Sequence, residues 1–251
     1  MEEKKISSAV IKRLPRYYRY LSELLEKGID RISSHELSKK MNVTASQIRQ
    51  DFNNFGGFGQ QGYGYNVGYL HDEIGKILGL EHNYNVIIIG AGNLGRALAN
   101  YGGFTKRGFQ MAGIFDVDKE KIGKKINDIP VYSIEDIEVF VKEHPVHIAA
   151  LTVPKDQASK IAGRLAEVGV EAFWNFASTD LKVPSHVVVE NVHLAESLMR
   201  LSYRLSEKGK GRCVCQKELE TNCHHCSSWC MGKNFPSLSW MSAGTNYFPV
   251  E

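Results

Sequence analysis

One ten-residue stretch, VIIIGAGNLG at residues 86–95, constrains the fold of this 251-residue chain more than any other. Its first four residues are apolar and β-branched with no polar alternation, which is typical of a parallel strand buried on both faces. Glycines then follow with the spacing G-x-G-x-x-G, which permits a tight turn, a close approach to a pyrophosphate and close packing of the next helix, predicted at residues 94–101. The unpaired N–H groups at the start of that helix would face the phosphates. The sequence therefore predicts a dinucleotide site on Gly90, Ala91, Gly92, Asn93, Leu94 and Gly95.

A second match to this glycine spacing, at Gly57, Gly59 and Gly62, is interpreted as accidental, because no apolar strand precedes it and no helical pattern follows it. The first match is supported by an apolar strand at residues 109–115 that ends in Asp116. A carboxylate in that position can accept hydrogen bonds from an adenosine ribose and would repel the 2′-phosphate of NADP. The alternative is a tight strand-to-helix turn that binds no ligand.

From residue 86 onward the sequence alternates strands with helices, a pattern that predicts a parallel, doubly wound sheet. Beyond the first two strands, helices are predicted at 133–143 and 156–168, and strands at 146–152, 170–175 and 187–190. Ligands of such sheets bind at the carboxyl ends of the strands. Two turns at such ends are expected to line the cofactor, unless they are ordinary strand-to-helix turns: Thr152, Val153 and Pro154, and Asn175 and Phe176.

The first fifty residues carry a positive excess, with eleven Lys and Arg against six Asp and Glu, which suits contact with a polyanion. A helical stripe at residues 6–27 is interrupted by Pro15, where a new helix start is expected, and it should stop at Gly28. Capping motifs that begin at Ser33 and Thr44 predict two further helices. Three helices of this size, the last two close together, predict a helix-turn-helix.

The third of these helices has two chemically different faces. Ala45, Ile48 and Phe52 share one face and are expected to be buried, whereas the other face could reach base edges and phosphates in a major groove or could simply be solvated. A glycine-rich, aromatic stretch at residues 55–68 is typical of the wing of a winged helix, which can lie along the DNA backbone or in the minor groove. The expected DNA-binding residues are Ser46, Gln47, Arg49, Gln50 and Asn53 in the helix and Gly59, Gln60, Gln61 and Tyr63 in the wing.

The composition indicates where the protein resides and whether it binds a metal. No apolar run reaches the length of a membrane span, and no hydrophobic segment follows the charged start, so a cytoplasmic protein without a membrane partner is expected. All five cysteines lie between Cys213 and Cys230, which a reducing compartment permits. Their spacing matches no zinc signature, so we expect a disordered or accidental tail and no metal site.

Together these features resemble the Rex family of redox-sensing transcriptional repressors over roughly residues 4–206. The resemblance implies a regulator that is not an enzyme: a homodimer that binds palindromic, double-stranded operator DNA when NADH is low and releases it when NADH occupies the Rossmann domain. It rests on RLPRYYRYL (13–21), TASQIRQD (44–51), GYGYNV (62–67), ALANYGGF (97–104), LTVP (151–154), VENV (189–192) and RLS (200–202).

The resemblance further implies a contact that depends on the redox state of the cofactor. It joins an arginine of the DNA-binding domain, a tyrosine after the glycine turn and an aspartate at the start of a C-terminal helix exchanged between subunits. Arg19 and Tyr101 match the first two, and Tyr101 is also expected to contact the cofactor. His193 replaces the aspartate; it would repel Arg19 when protonated and could only accept a hydrogen bond from it when neutral. The wing tip, Gln60 and Gln61, lacks the basic residue usual in the family, which predicts weaker phosphate contact.

The expected fold is therefore α/β, with a winged helix-turn-helix at residues 1–80, a doubly wound Rossmann sheet at 81–192, a dimer-exchanged helix at 193–206 and a cysteine-containing tail at 207–251. The last predicted helix, 192–205, has an apolar stripe that a second subunit would bury. Two alternatives stay open. An NAD-dependent dehydrogenase would need a substrate domain that the chain lacks, and a CoA-binding module would have a similar phosphate loop but no need of a ribose-binding carboxylate.

Overall fold

The computed structural model describes residues 7–53, 59–60 and 63–210, with residues 59–60 and 209–210 described by their backbone alone. The described residues up to 196 belong to one compact unit and those from 197 to 210 to a second. Within the described ranges no helix is both long enough and apolar enough to cross a membrane. Gln61 and the cysteine-containing stretch at 213–230 lie outside the described residues.

The first part of the chain folds as a winged helix-turn-helix, as predicted. Its small sheet is antiparallel, with the third strand between the other two. The described elements are α1 (Ser8–Ile11), α2 (Leu14–Glu26), β1 (Arg31–Ile32), α3 (Ser34–Met41), α4 (Ala45–Asn53), β2 (Gly59–Gln60), β3 (Gly64–Asn66) and α5 (Val67–Ile77).

Local sequence signals place these helices where they were expected. Pro15 lies in the first turn of α2, where its missing N–H is tolerated, and Gly28 adopts a left-handed φ of 67° just beyond the helix end. Ser33 and Glu36 form the predicted capping box, since the Ser33 hydroxyl accepts from the Glu36 N–H (3.1 Å) and the Glu36 carboxylate accepts from the Ser33 N–H (2.8 Å).

The helices pack around one apolar core. Ile48 and Phe52 of α4 are buried as predicted, but Ala45 is only half-buried because it is the first residue of the helix, at the edge of the core. Edge-to-face ring contacts connect the helices to the wing, from Tyr17 to Phe52 (4.9 Å) and from Phe52 to Tyr65 (5.1 Å). The core consists of Leu14, Tyr17, Leu21, Leu24, Ile32, Leu37, Met41, Ile48, Phe52, Tyr65, Val67, Leu70 and Ile74.

A buried carboxylate, Asp51, joins α4 to α2. It accepts hydrogen bonds from Arg13 Nε (2.7 Å) and Nη2 (2.8 Å), from the Tyr17 hydroxyl (2.8 Å) and from Gln47 Nε2 (2.9 Å). Burial acts to raise the pKa of Asp51, but the hydrogen bonds from Arg13, Tyr17 and Gln47 outweigh it, so this pKa lies below its usual value. Burial and the bond to Asp51 raise the pKa of Tyr17. The carboxylate therefore stays ionised and fixes α4 against α2.

The capping motif at Thr44 forms only in part. Thr44 Oγ1 accepts from the backbone N–H of Gln47 (3.1 Å), as expected. The Gln47 side chain does not return to the cap, because its amide donates to Asp51 one turn later. Gln47, predicted to face outward, is consequently half-buried.

The second part of the chain forms a seven-stranded sheet that is parallel except for one edge strand, which confirms the predicted doubly wound fold. Its strand order is β10-β9-β8-β4-β5-β7-β6, with β6 antiparallel to β7. The elements are β4 (Tyr84–Ile89), α6 (Asn93–Ala99), β5 (Phe109–Asp116), β6 (Lys125–Ile126), β7 (Ile129–Ser133), α7 (Ile137–Glu143), β8 (Ile148–Leu151), α8 (Lys155–Glu167), β9 (Ala172–Asn175), β10 (Val188–Asn191) and α9 (Leu194–Lys210).

The hairpin β6–β7 is a difference from the sequence prediction. Asn127 and Asp128 both adopt positive φ angles (50° and 63°) and form its two-residue turn. The helix predicted at 133–143 begins later than expected. Ser133 is the last residue of β7 and caps a short 3₁₀ turn (Ile134–Asp136), and α7 begins after that turn.

The two faces of the sheet are covered differently. Helices α7 and α8 pack on one face through a core that includes Phe115, Phe140 and Phe173, and α6 packs on the other face around β4. An apolar groove of about 280 Å³ lies over the part of the sheet formed by β5, β4, β8, β9 and β10. Its lining includes Phe104, Met111, Ile148, Trp174 and Val188.

Helix α9 has an exposed apolar stripe. It is longer than the predicted helix at 192–205 and shows the predicted helical spacing of large apolar residues. The exposed members of this stripe are Leu194, Leu198, Leu201 and Leu205.

We expect the Arg13→Ala variant to lose about 3 kcal/mol of unfolding free energy, because removal of one partner leaves the buried Asp51 charge uncompensated. Urea unfolding followed by circular dichroism measures this loss. Arg16→Ala is the matched control, since Arg16 is an exposed arginine in the first turn of α2, the helix whose N-cap is Arg13. Equal unfolding midpoints for the two variants would contradict the structural role of Asp51.

Candidate dinucleotide and nucleic-acid sites

The glycine turn after β4 is locked against the end of β8. Gly90 has a φ of 103°, and a Cβ there would lie 2.9 Å from the carbonyl oxygen of Thr152. A Cβ on Gly95 would overlap the carbonyl oxygen of Gly90. The Thr152 hydroxyl hydrogen-bonds the carbonyl oxygens of Ile89 and Gly90, at 2.9 Å each. The protein's own packing therefore dictates the first and third glycines.

At the middle glycine the protein's own packing does not exclude a side chain. Gly92 has an ordinary φ of −76° and precedes the first residue of α6. A Cβ added to it would meet no protein atom within 4 Å. The turn thus exposes bare backbone at the start of α6, where Asn93 and Leu94 form the first turn, and a phosphate can approach such backbone closely.

Asp116, at the end of β5, contacts the same turn. Its Oδ2 accepts from the Ala91 N–H (2.6 Å) and its Oδ1 from the Asp118 N–H (2.8 Å). The side chain is only 10 % exposed and has Lys121 Nζ 3.6 Å away. Asp116 therefore fixes the glycine turn in addition to any contact with a ribose.

These elements surround one cavity of about 280 Å³ at the carboxyl ends of the strands. It brings together residues from three separate predictions: the glycine turn, the end of β5 and the turn after β8. Sequence reasoning missed Lys121 and Gln157, which the fold brings to the cavity from the loop after β5 and from α8. The lining includes Gly90, Gly92, Asp116, Lys121, Thr152, Val153, Pro154 and Gln157.

Asn175 has a structural role at the end of β9. Its side chain is fully buried. Its Nδ2 donates to the Thr179 carbonyl (2.8 Å) and to Asn191 Oδ1 (2.7 Å), and its Oδ1 accepts from the Ala177 N–H (3.0 Å). These bonds shape the turn that carries the next residue, and contact of Asn175 with the cofactor stays a prediction.

Phe176 and Tyr101 are connected by ring contacts, outside the lining of that cavity. Phe176 packs on Trp174 (4.6 Å), Trp174 on Phe104 (5.5 Å) and Phe104 on Tyr101 (4.7 Å), all edge to face. Tyr101 is 55 % exposed. The chain of rings joins two residues that the sequence assigned to the cofactor.

The three expected switch residues do not meet within the described part of one chain. Arg19 lies 4.0 Å from Glu23 and over the ring of Tyr20. His193 is half-buried and precedes α9. Within the described residues no hydrogen bond or ion pair joins Arg19, Tyr101 and His193, so a contact among them needs a second subunit or another arrangement.

The outer face of α4 is the candidate nucleic-acid interface. Its expected residues other than Gln47 are exposed, namely Ser46, Arg49, Gln50 and Asn53. Arg49 is held by Ser34 at the start of α3, to whose hydroxyl its Nη1 donates (3.1 Å).

The described part of the wing consists of β2, Tyr63 and β3. Gly59 and Gln60 form β2, which pairs with β3. Tyr63 is 70 % exposed, and its carbonyl oxygen accepts from Arg31 Nη1 (3.3 Å).

Among the described residues no group of three or more His, Cys, Asp or Glu side chains could hold a metal ion. The combination that is present is a winged helix-turn-helix followed by a parallel sheet with a dinucleotide-type glycine turn. It defines a class of protein, the DNA-binding regulators that respond to a nucleotide.

Comparison with known proteins identifies the family. The chain is 58% identical over 204 residues to the redox-sensing transcriptional repressor Rex of Thermoanaerobacter pseudethanolicus, covering 81% of this chain and 91% of the relative. It is 55% identical to Rex of Clostridioides difficile, covering 81% of this chain and 97% of that relative. The chain belongs to the Rex family of redox-sensing transcriptional repressors.

Solved structures and family matches agree with this assignment. The structure of RSP in complex with β-NAD⁺ and operator DNA matches with a TM-score of 0.77 and 56% identity, covering 84% of this chain and 99% of RSP. RSP in complex with β-NADH matches with a TM-score of 0.76 and 54% identity, covering 82% of this chain and 97% of RSP. Residues 5–53 match a family described as putative DNA-binding protein N-terminus and residues 81–179 one described as CoA binding domain. These relatives are regulators rather than enzymes, which decides against the dehydrogenase alternative.

We expect Gly92→Ala to fold normally but to weaken NADH binding about tenfold or more, because its methyl group would block hydrogen bonds to a charged phosphate, which are worth ~1.5–3 kcal/mol each. Gly95→Ala should instead lower the melting temperature, because its methyl group collides with the backbone of Gly90. Isothermal titration and thermal melts separate the two effects. Wild-type NADH affinity in Gly92→Ala would show that no phosphate lies at this turn.

Proposed function

We propose that this chain is a repressor that senses the ratio of NADH to NAD⁺. It binds palindromic operator DNA when NADH is low and leaves the operator when NADH fills the site at the glycine turn. The observation that carries this proposal is the presence, in one chain, of the glycine turn packed on Thr152 and the winged helix-turn-helix. RSP, which matches both parts, has been solved with β-NAD⁺ and operator DNA and with β-NADH.

The switch requires NADH to bind one conformation of the dimer better than another, since a ligand with equal affinity for both shifts no equilibrium. The reduced nicotinamide is neutral and can enter an apolar pocket, whereas the oxidised ring is positively charged and is less well tolerated there. NADH thus stabilises a closed dimer in which the two α4 helices no longer match one turn of DNA.

The proposed cofactor site consists of residues from four strand ends and the start of α6, together with Tyr101 just beyond the end of that helix. The glycine turn holds the pyrophosphate, Asp116 the adenosine ribose, and the turns after β8 and β9 lie along the remainder of the dinucleotide. The proposed residues are Gly90, Ala91, Gly92, Asn93, Leu94, Gly95, Tyr101, Asp116, Thr152, Val153, Pro154, Asn175 and Phe176.

The DNA site combines α4 with the wing. The exposed residues of α4 enter the major groove, and the wing follows the backbone or the minor groove. The proposed residues are Ser46, Gln47, Arg49, Gln50, Asn53, Gly59, Gln60, Gln61 and Tyr63. The lack of a basic residue at the wing tip predicts a shallow dependence of binding on salt.

The functional form is a homodimer in the cytoplasm, where operator DNA and the NADH pool are both found. The exposed apolar stripe of α9 supports an exchange of this helix between subunits, because association would remove it from water. The proposed domains are 1–80 for DNA binding, 81–192 for the dinucleotide, 193–206 for exchange and 207–251 for the tail.

A CoA-binding function is the second candidate, because residues 81–179 match a family described by that name. Asp116 beside the glycine turn favours a free ribose diol, as in NADH. Competition between CoA and NADH for the purified protein separates the two candidates.

We expect NADH to release a labelled operator at a concentration at least about tenfold below that of NAD⁺, because burial of the charged oxidised ring costs free energy. Fluorescence anisotropy of the operator bound to the purified full chain, titrated with each nucleotide separately, measures the release. Equal half-release concentrations would refute redox sensing.

His193 stands where the family resemblance has an aspartate, so this chain offers Arg19 an imidazole in place of a carboxylate. We therefore expect His193→Asp to change the NADH concentration that releases half of the operator, because a carboxylate can form an ion pair with Arg19. The anisotropy titration measures this concentration. His186→Asp, at an exposed histidine in the loop before β10, is the control and should keep the wild-type value. An unchanged half-release concentration in His193→Asp would exclude His193 from the switch.

A further inference from the structure

A cluster of three charged side chains stands at the edge of the cavity beside the glycine turn. Lys121 lines this cavity together with Asp116. Its Nζ lies 3.1 Å from Asp118 Oδ2 and 3.6 Å from Asp116 Oδ2. The ammonium group is therefore shared between two carboxylates at the position where β5 ends.

The carboxylate of Asp116 cannot move to follow a ligand. The Ala91 N–H holds one of its oxygens and the Asp118 N–H the other. Because these are backbone donors of the turn and of the loop, Asp116 keeps its place whether or not Lys121 is near. Any change of partner in this cluster must come from Lys121.

Lys121 is free to make that change. Its side chain is 38 % exposed, and its stem is flexible. The hydrogen bond to Asp118 is the main cause that raises the pKa of Lys121. Asp118 is itself 40 % exposed and also accepts from the Glu120 N–H (3.0 Å). The contact that restrains the lysine is thus a solvent-exposed ion pair, which is a weak one.

In dinucleotide-binding sheets a carboxylate at the end of the second strand accepts from the ribose 2′-hydroxyl, and a neighbouring cation accommodates a 2′-phosphate where NADP is bound. Here both groups are present side by side. We infer that Lys121 is a latent ligand for the 2′-phosphate of NADPH. Its ion pairs with Asp116 and Asp118 keep the ammonium group from binding that phosphate. Selection for NADH over NADPH then depends on three side chains rather than on Asp116 alone. This inference rests on the proposed function, because it assumes that the cavity holds the adenosine ribose.

The test compares the Kd values of NADH and NADPH for the purified 251-residue chain, measured by isothermal titration calorimetry. Asp118→Asn removes one restraining charge, and the asparagine oxygen can still accept from the Glu120 N–H. We expect the Kd for NADPH to fall about fivefold, the upper range for an exposed pair, and the Kd for NADH to change less than about twofold. Asp118 lies outside the residues proposed to contact NADH, so binding of NADH reports that the site is intact.

A second substitution identifies the lysine. Lys121→Ala in the Asp118→Asn background should abolish the gain in NADPH affinity. Lys124→Ala in the same background is the matched control, because Lys124 is an exposed lysine of the same loop, and it should retain the gain. If Lys121→Ala keeps the gain, or if Asp118→Asn leaves the ratio of the two Kd values unchanged, the inference is wrong.

Different results would overturn the proposed function and the role of Lys121. A wild-type protein that binds neither nucleotide would overturn the proposed function. A wild-type protein that binds NADH, with variants that do not differ in NADPH affinity, would overturn only the role of Lys121. If Asp118→Asn lost its fold by circular dichroism, Asp118→Ser would take its place in the same comparison, because the serine hydroxyl is uncharged and can still accept from the Glu120 N–H.

Discussion

The close contact between the glycine turn and the end of β8 fixes the geometry of the dinucleotide-type cavity, on which the candidate site depends. No side chain fits at Gly90 or Gly95, so the backbone of the turn lies directly against Thr152. The Thr152 hydroxyl then bonds the carbonyl oxygens at the end of β4. Asp116 reaches the turn from the opposite neighbouring strand. Three strand ends are thereby held around one cavity, and of the three glycines in the turn only Gly92 faces open space.

The regular part of the fold could be predicted from the sequence, because its elements carry a strong local pattern. Buried strands such as β4 are continuous apolar runs, and the capping box at Ser33 fixes the start of α3. The hairpin β6–β7 could not be predicted in this way, since a strand of two residues shows no periodicity. The apolar stripe of α9 was recognised, but the pattern does not show where the helix ends.

The candidate site was predictable where it depends on strand ends and not where it depends on distant side chains. The glycines, Asp116 and the turn at Thr152 follow from the rule that ligands bind at the carboxyl edge of a parallel sheet. The bond between Arg13 and Asp51 joins residues 38 positions apart, and no local pattern reveals it. Asn175 lies at a strand end as predicted, but its amide bonds the turn that follows and the Asn191 side chain at the end of β10. The position of a residue in the sheet could thus be predicted from the sequence, whereas the hydrogen-bond partner of each polar side chain could not.

The bond between Gln47 and Asp51 has a consequence for the surface of α4. An ionised carboxylate only accepts hydrogen bonds, so the amide nitrogen of Gln47 must be the atom that faces Asp51. The carbonyl oxygen of Gln47 is therefore turned away from the carboxylate. A glutamine that could otherwise present either end of its amide is held in one orientation by a charge inside the domain.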